Sequence, residues 1–325
     1  MIAIFSKNDF EYSTEDVMDW LNFYNANFIR INGTSLCDSF FLNHISFHMK
    51  YENITIIWNR RWYDDGKFLE QNSNLVKKLS HNAIAGLTSN ISEERKVISN
   101  YYFNFFKNCK WTTYPTAMNG NKIIQLIEAE NCNIIIPNYV ITLKKSDLIN
   151  FSNNYRKIIT KPLSHIPALR DEKETTLFYT KILKLTEIKI LANTFFPSLF
   201  QEYIEKEFEV RSFYFYGKIF SMAIFSQNQK ETLYDFRSSP KKLNRRVPYK
   251  LPLDLEKKLR ILMKKLELNE GSIDLIKSKK GDFVFLEVNP VGQFGMVSYP
   301  CNYNLELLIA KHLINENKKS TKKSR

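Results

Sequence analysis

The segment GSIDLIKSKKGDFVFLEVNP reads as a β-hairpin that carries two carboxylates and an amide at positions suited to a metal. Asp274 lies in its first strand, and Glu287 and Asn289 close its second. Because side chains alternate along a strand, Glu287 and Asn289 share a face, and the hairpin brings Asp274 beside them. Such hard oxygen ligands suit Mg²⁺, which shares its shell with phosphates. A solvent-facing strand pair is the alternative, but an unpaired charge in so apolar a run would be costly.

Two lysines are placed to bind phosphate. Lys161 ends a predicted strand and precedes a proline, so its backbone is extended and its side chain can project into a cleft. Lys122 begins a predicted helix, whose N-terminus itself favours anions. Each lysine alone is also typical of an ordinary surface position.

The segment QEYI connects a predicted strand to the next unit. Adenine recognition needs a backbone donor and acceptor between apolar walls, and such a connection can supply them. Glu209 and Arg211 follow on one face of the next strand. A carboxylate suits ribose hydroxyls and a guanidinium suits phosphate, although a cross-strand ion pair is the alternative. The four residues of the segment are Gln201, Glu202, Tyr203 and Ile204.

A basic segment, DFRSSPKKLNRRVPY, lies between two predicted strands. Guanidinium groups stabilise charge on a transferred phosphoryl group, each by roughly 3–4 kcal/mol in a dry site. A solvated charge run is the alternative interpretation. The polar residues that stand out are Asp235, Arg237, Asn244, Arg245 and Arg246.

The elements that must position these residues fall into two kinds. Hydrophobic patterning predicts an N-terminal α/β unit with strands at 1–6, 27–32 and 54–59, a helix at 14–26, and helices around 68–88 and 91–107. The first strand begins the chain, and we do not interpret it as a signal peptide. A break follows near 111–121, rich in turn residues.

The second half predicts α+β units around antiparallel sheets. A helix at 120–132 precedes short strands and a helix at 186–194. A hairpin turning at Tyr216–Gly217 is followed by a basic loop at 237–252 and a helix at 253–267. The metal-binding hairpin and a last helix at 304–319 complete the pattern.

Length and composition exclude several classes of protein. A chain of 325 residues with 44% hydrophobic residues forms two or three packed units. We find no apolar run of about 18 residues, no P-loop, no dinucleotide fingerprint and no nucleophile elbow. The four cysteines, Cys37, Cys109, Cys132 and Cys301, form no CxxC pair and predict buried thiols of a cytoplasmic protein.

The formal charge of +13 attracts anions, and five of the positive charges lie in the last eight residues. We predict a basic, flexible tail at 318–325. An acidic peptide, a nucleotide or a nucleic acid would each suit this field, but no nucleic-acid-binding motif stands out.

The order of these features resembles that of the ATP-grasp ligases. The features occur in this order along the chain: a lysine at a helix start, a lysine at a strand end, QEYI, a strand with E-V-R, a basic segment and D…E-x-N. The stretches FLEVNPVGQFGMVSYPCNYNLELLIAKHL, DFRSSPKKLNRRVPYKLP and IIWNRRW are more narrowly similar to the "grasp-with-spasm" peptide maturases, the graspetide or microviridin-type macrocyclases. The resemblance covers nearly the whole chain.

This resemblance implies an ATP-grasp fold of α/β and α+β units, with ATP and Mg²⁺ as cofactors. A pre-ATP-grasp α/β domain would span 1–115, a lid subdomain 116–204, and a C-terminal catalytic subdomain 205–317. It further implies that Lys122 and Lys161 contact phosphates and that QEYI frames adenine. Glu209 would bind ribose, and Asp274, Glu287 and Asn289 would hold magnesium. The remaining implied roles are charge stabilisation by Arg211, Arg237 and Arg245, nucleotide contact by Arg237 and Ser238, and orientation or deprotonation of the acceptor by Asp235.

The family's reaction joins an Asp or Glu side chain of a ribosomally made precursor peptide to a Thr, Ser or Lys side chain, as an ester or amide. The implied partners are an acidic precursor peptide, with leader and core, and a second copy in a homodimer. We expect neither a membrane nor a nucleic acid as partner. RVPYKLP replaces the glycine-rich stretch of the ribosomal-protein glutamate ligases, which indicates a different acceptor. Asn59, Arg60 and Arg61 could contact the peptide or form a structural ion pair.

Two other functions stay open. A ligase that adds amino acids to a protein or peptide terminus would share the ATP site. A basic nucleic-acid-binding protein, from another class, would bind DNA or RNA in a salt-sensitive way without needing Glu287.

Overall fold

Two compact units make up the protein in its computed structural model. The model describes residues 1–7, 11–33, 51–61, 78–163, 168–170, 175–177, 180–226 and 244–323. The first unit comprises 1–118 and 304–325, and the second comprises 119–303.

A four-stranded parallel sheet forms the first unit, in the order β2-β1-β3-β4. Its apolar strands are buried, as is typical of parallel sheets covered by helices. This confirms the predicted N-terminal α/β unit. The strands are β1 (Ile2–Ser6), β2 (Phe28–Asn32), β3 (Ile56–Asn59) and β4 (Lys110–Trp111), and the helices are α1 (Tyr12–Phe23) and α2 (His81–Phe105).

Helix α2 differs from the two helices expected at 68–88 and 91–107. It is continuous from His81 to Phe105, and the Ser80 hydroxyl caps it by accepting from the Ala83 amide at 3.3 Å. Gly86 lies within the helix and does not interrupt it, and a Cβ atom at this position would meet no other described atom within 4 Å. Residues 62–77 lie outside the described part of the chain.

The C-terminal helix α8 (Leu305–Lys323) packs in the first unit against α1 and β3. Its Glu316 binds Lys110 of β4 and accepts a hydrogen bond from Lys319 at 2.8 Å, and these two lysines lower the pKa of Glu316 to about 2. The helix therefore includes 318–323, where we had predicted a flexible tail. The Glu316–Lys319 pair, one turn apart, supports the helical form.

The second unit contains a smaller antiparallel sheet in the order β5-β10-β6-β9. Leu148, Ile188 and Phe200 form a core on one face, where helices α4 and α5 pack. The elements are β5 (Tyr139–Lys144), α4 (Lys145–Ser152), β6 (Ile158–Lys161), β9 (Lys181–Leu183), α5 (Leu185–Ile190) and β10 (Thr194–Glu202), with a two-stranded ribbon of β7 (Ala168–Arg170) and β8 (Thr175–Leu177).

A five-stranded antiparallel sheet in the order β13-β12-β11-β14-β15 completes the second unit. The turn at Tyr216–Gly217 is as predicted, with positive φ angles of 44° and 83° that suit a two-residue hairpin turn. The strands are β11 (Lys206–Phe215), β12 (Lys218–Phe225), β13 (Arg245–Tyr249), β14 (Glu270–Ser278) and β15 (Phe283–Asn289).

Strand β13 corrects the prediction of a basic loop over 237–252. Residues 245–249 pair with β12 at the edge of the sheet, where Pro248 needs no ladder donor on its outer side. The proline and the charges concealed the strand in the sequence.

Three helices flank this sheet: α3 (Lys122–Asn131), α6 (Leu253–Lys265) and α7 (Gly295–Cys301). Helix α3 contacts β15 and α6, whereas α7 contacts β11, β12 and β13. A short 3₁₀ turn, Ala117–Asn119, precedes α3. We did not predict α4 or α7, and α7 contains Pro300.

Two further observations concern the helices and the cysteines of the described residues. Within the described ranges, no helix is both long and apolar enough to cross a bilayer. Cys109, Cys132 and Cys301 are free thiols, of which the last two are buried, and burial raises the pKa of all three. Cys37 lies outside the described residues.

Candidate active site

One face of the five-stranded sheet gathers the predicted metal ligands. Asp274 is the cross-strand partner of both Arg211 in β11 and Glu287 in β15. Asn289 pairs with Ser272, two residues from Asp274. Because directly paired residues project to the same side, all of these side chains share one face.

A β-bulge at Leu286 makes this arrangement possible. Leu275 pairs with Phe285, whereas the adjacent Asp274 pairs with Glu287, so Leu286 is an extra residue in β15. In a regular strand, Phe285 and Glu287 would share a face. With the bulge, Phe285 is fully buried in the core and Glu287 lies beside Asp274 on the opposite face.

A cation lies beside each of the two carboxylates, Asp274 and Glu287. The Arg211 Nη1 atom lies 3.3 Å and 3.4 Å from the two Asp274 carboxylate oxygens, and the Lys122 Nζ atom lies 3.4 Å from Glu287 Oε2. These distances exceed the 2.7–2.9 Å of a tight charged hydrogen bond. The face therefore carries a series of alternating charges, in which Lys122 lies beside Glu287 and Arg211 beside Asp274.

The donor set fits magnesium. Asp274 and Glu287 supply hard carboxylate oxygens, and the Asn289 side chain makes no hydrogen bond to the described residues. Beside it, the Ser272 hydroxyl is buried without a partner in the part of the chain described. A polar group left in this state is unfavourable unless a ligand or its waters contact it.

The N-terminus of α3 joins this face to the smaller sheet. The Asn121 side chain caps the helix by accepting from the amides of Ile123 at 2.9 Å and Ile124 at 3.2 Å. The cap places Lys122 Nζ within 2.8 Å of the Pro162 carbonyl, directly after β6, while it also faces Glu287.

Lys161 and Gln201 share the face of the smaller sheet that lies opposite its helices. Lys161 pairs with Leu199, and Gln201 lies two residues further along β10. Phe200, between them, projects to the other side and packs on Leu148. The structure therefore places these two predicted nucleotide contacts on one surface.

Gln201 is an unusual residue for a sheet interior. Its side chain is 0% exposed, yet neither the amide oxygen nor the amide nitrogen has a hydrogen-bond partner among the described residues. Burying an amide without partners costs roughly 1–3 kcal/mol by protein mutational data. A ligand with a complementary polar edge would relieve that cost.

The linker after β10 has hydrogen bonds at Glu202 and Tyr203 but none at Ile204 among the described residues. Glu202 is fixed by Asn138, which donates its backbone amide and its Nδ2 group to Oε1 at 2.8 Å and 2.9 Å. Tyr203 donates its amide to the Lys157 carbonyl at 3.1 Å. Within 180–226, Ile204 makes no hydrogen bond, which leaves its backbone donor and acceptor available.

Glu209 is held in place by its neighbours. The buried Lys206 donates to Oε1 at 2.5 Å, and Ser226 donates to the same oxygen at 2.8 Å. No hydrogen bond to the other oxygen, Oε2, occurs among the described residues. This geometry fixes the carboxylate and presents one oxygen for hydroxyl groups.

The register places Arg245 and Arg246 on opposite faces. Arg246 pairs with Ile224, which pairs with Glu209, so Arg246 shares the face of Arg211. Arg245 pairs with Phe225 and its guanidinium lies 5.3 Å from the centre of that ring. Arg245, which we had expected to act in catalysis, therefore projects away from the candidate site.

The remaining predicted positions lie outside the described residues or in the first unit. Asp235, Arg237 and Ser238 lie outside the described residues. In the first unit, Arg60 is buried, and its guanidinium lies 4.9 Å from the centre of the Trp58 ring. Arg61 lies 3.6 Å from Glu11, which favours the structural alternative for this segment.

Comparison with solved structures identifies the fold. The macrocyclase MdnC bound with precursor peptide MdnA, from Microcystis aeruginosa MRC, matches with a TM-score of 0.76 at 22% identity, over 97% of this chain and 99% of that chain. A Chryseobacterium gregarium RiPP-associated ATP-grasp ligase in complex with ADP and a leader and core peptide matches at 0.75 and 20% identity, over 97% and 95%. The ATP-grasp ligase PsnB complexed with minimal precursor, Mg and ADP matches at 0.70 and 15% identity, over 97% of each chain.

The chain therefore has the ATP-grasp fold, as its sequence implied. Neither a protein-family model nor a curated protein matches the sequence.

Gln125 supports the site and was missed in the sequence. Its side-chain amide donates to the Val288 carbonyl at 2.9 Å and accepts from the Val288 amide at 2.8 Å, between Glu287 and Asn289. It thereby pairs the outer edge of β15 as another strand would. A glutamine within an amphipathic helix gives no sequence signal for such a role.

We expect Gln125→Ala to lower the free energy of unfolding by about 1–3 kcal/mol, because the Val288 amide would be left buried without an acceptor. Urea titration followed by circular dichroism measures the change. Ile124→Ala is the matched control, since Ile124 is 52% exposed on the same helix and should change stability by less than about 0.5 kcal/mol. Equal effects of the two substitutions would contradict the proposed support of β15.

Proposed function

We propose that the protein is an ATP- and magnesium-dependent carboxylate ligase. The single observation that carries this proposal is the face on which Asp274, Glu287 and Asn289 lie beside Arg211, within an ATP-grasp fold. Two carboxylates and an amide suit magnesium, and a buried guanidinium suits a phosphoryl group.

Each ligand group has a residue suited to bind it. Lys122, which donates to the Pro162 carbonyl, and Lys161, which directly precedes Pro162, would both contact the phosphates. Gln201 and the open backbone of Ile204 would bind the adenine edge, while Glu202 and Tyr203 hold the linker. Glu209 would accept hydrogen bonds from ribose hydroxyls through its open oxygen. Arg211 and Arg237 would stabilise the transferred phosphoryl group, with Ser238 as a further nucleotide contact.

The substrate that we propose is a ribosomally made precursor peptide. The MdnC, Chryseobacterium and PsnB structures named above contain precursor, leader or core peptides, and they match nearly this whole chain. The basic composition of this chain would attract an acidic peptide. The protein would accordingly act as a peptide macrocyclase.

The reaction proceeds in two steps. A carboxylate oxygen of an Asp or Glu side chain attacks the γ-phosphorus of ATP, and ADP leaves as the bond to its bridging oxygen breaks. A Thr or Ser hydroxyl, or a Lys amine, then attacks the acyl carbon, and phosphate leaves. The proton of the nucleophile passes to a base, for which we propose Asp235. Magnesium, when bound, neutralises phosphate charge.

A ligase that adds free amino acids to a terminus would use the same face. The two functions differ in the mass of the product, because ring closure removes one water whereas ligation adds an amino-acid residue.

Mass spectrometry of a candidate acidic precursor peptide, co-expressed with this protein, tests the proposal. Each ring should lower the peptide mass by about 18 Da, the mass of the water lost when the acyl phosphate is displaced. Co-expression with Asn289→Ala should leave the mass unchanged. A mass that stays unchanged with the wild-type protein, or that rises by amino-acid residues, would rule out macrocyclisation.

Gln201 provides an independent test of nucleotide binding. Gln201→Leu removes a buried, unpaired amide, so we expect the ligand-free protein to become more stable, by roughly 1 kcal/mol. The same change should weaken ATP binding about tenfold, because the adenine edge loses its partners. Thermal unfolding with and without ATP measures both effects. The proposed adenine contact is wrong if the variant loses stability without ATP or binds ATP as the wild type does.

A further inference from the structure

Arg246 is a cation on the candidate face without a partner in the described structure. Its side chain is half-buried, its Nε atom is buried without a hydrogen-bond partner among the described residues, and no ion pair to those residues involves it. The register places it in line with Ile224 and Glu209, on the side of the sheet that carries Arg211.

A guanidinium with a buried donor that has no hydrogen-bond partner is unfavourable unless an acceptor or anion compensates it. Arg211, the buried arginine of this face, has Asp274 as its counter-charge. Arg246 has no such carboxylate within 180–226 or 244–323. Its planar fork of donors matches a carboxylate in a bidentate geometry. The arrangement is therefore that of an anion subsite.

The position of Arg246 separates it from the magnesium ligands. Neighbouring strands lie about 4.8 Å apart, so the backbone of β13 lies roughly 10 Å across the sheet from β11 and roughly 14 Å from β14. The metal ligands lie on β14 and β15, on the far side of Arg211. A phosphate beside the predicted metal ligands would therefore lie nearer to Arg211 than to Arg246.

We propose that Arg246 binds a carboxylate of the peptide substrate, on the side of Arg211 that faces away from the metal. This inference rests on the proposed function, since it assigns the substrate side of the same site. The two arginines, although adjacent in the sequence, have different surroundings. Arg246 lies on the candidate face, whereas Arg245 lies against the Phe225 ring on the opposite face.

Arg245 supplies a matched control, since both substitutions remove one positive charge from the same strand. The probe is a synthetic acidic precursor peptide that carries a fluorescent label, together with a second form in which every Asp and Glu of its core is replaced by Asn or Gln. Fluorescence anisotropy without nucleotide measures the Kd of both peptides for the wild type, Arg246→Ala, Arg246→Lys and Arg245→Ala.

We expect Arg246→Ala to raise the Kd of the acidic peptide about tenfold, because a charged hydrogen-bonded pair is lost. Arg246→Lys should recover only part of the affinity, since lysine lacks the fork. Arg245→Ala should change the Kd by less than about twofold, as for an exposed charge. The difference between the wild type and Arg246→Ala should vanish for the peptide without core carboxylates.

The proposal is overturned if Arg246→Ala and Arg245→Ala weaken binding equally, or if the effect persists with the neutral peptide. It is also overturned if Arg246→Ala instead raises the KM for ATP, which would make the bound anion a phosphate. Because binding is measured without nucleotide, it is independent of turnover. A wild type that binds the peptide through Arg246 but never consumes ATP would refute the ligase and leave the subsite intact.

Discussion

The extra residue in β15 is the constraint on which the candidate site depends. Glu287 follows a run of apolar side chains, and the strand must bury Phe285 while it presents a carboxylate to the other face. Only a break in the two-residue alternation satisfies both requirements. The bulge at Leu286 is this break. Two residues further on, the Gln125 side chain hydrogen-bonds to the backbone of Val288 and so holds the outer edge of the bulged strand.

The polar groups around the candidate site fall into two sets, those with hydrogen-bond partners and those that are buried without partners among the described residues. The Gln125 amide and the Glu202 Oε1 atom have hydrogen-bond partners and serve as supports. Gln201, Ser272 and the Nε atoms of Arg211 and Arg246 are buried without partners among the described residues, and all lie on the faces that we assign to ligands. Uncompensated polar burial costs stability, and such groups are typical of functional sites.

The sequence predicted the composition of the site better than its geometry. The hairpins at Tyr216–Gly217 and 271–290 and the N-terminal α/β unit are observed, because hydrophobic period and turn residues specify them locally. The predicted common face of Asp274 and Glu287 is also observed, but it depends on the bulge. Strand β13 and the bulge could not be predicted, since the local sequence pattern shows the pairing register of neither segment. Without the register of β13, the sequence could not show that Arg245 and Arg246 project to opposite faces of the sheet.

The central claim is that Asp274, Glu287 and Asn289 bind magnesium together with the nucleotide. Calorimetric titration of ADP with and without Mg²⁺ tests it most directly, in the wild type and in Glu287→Gln, which preserves side-chain size. The wild type should bind ADP more tightly when Mg²⁺ is present, by about tenfold or more, whereas the variant should lose this enhancement and retain its metal-free affinity. An undiminished effect of Mg²⁺ in Glu287→Gln would contradict the account.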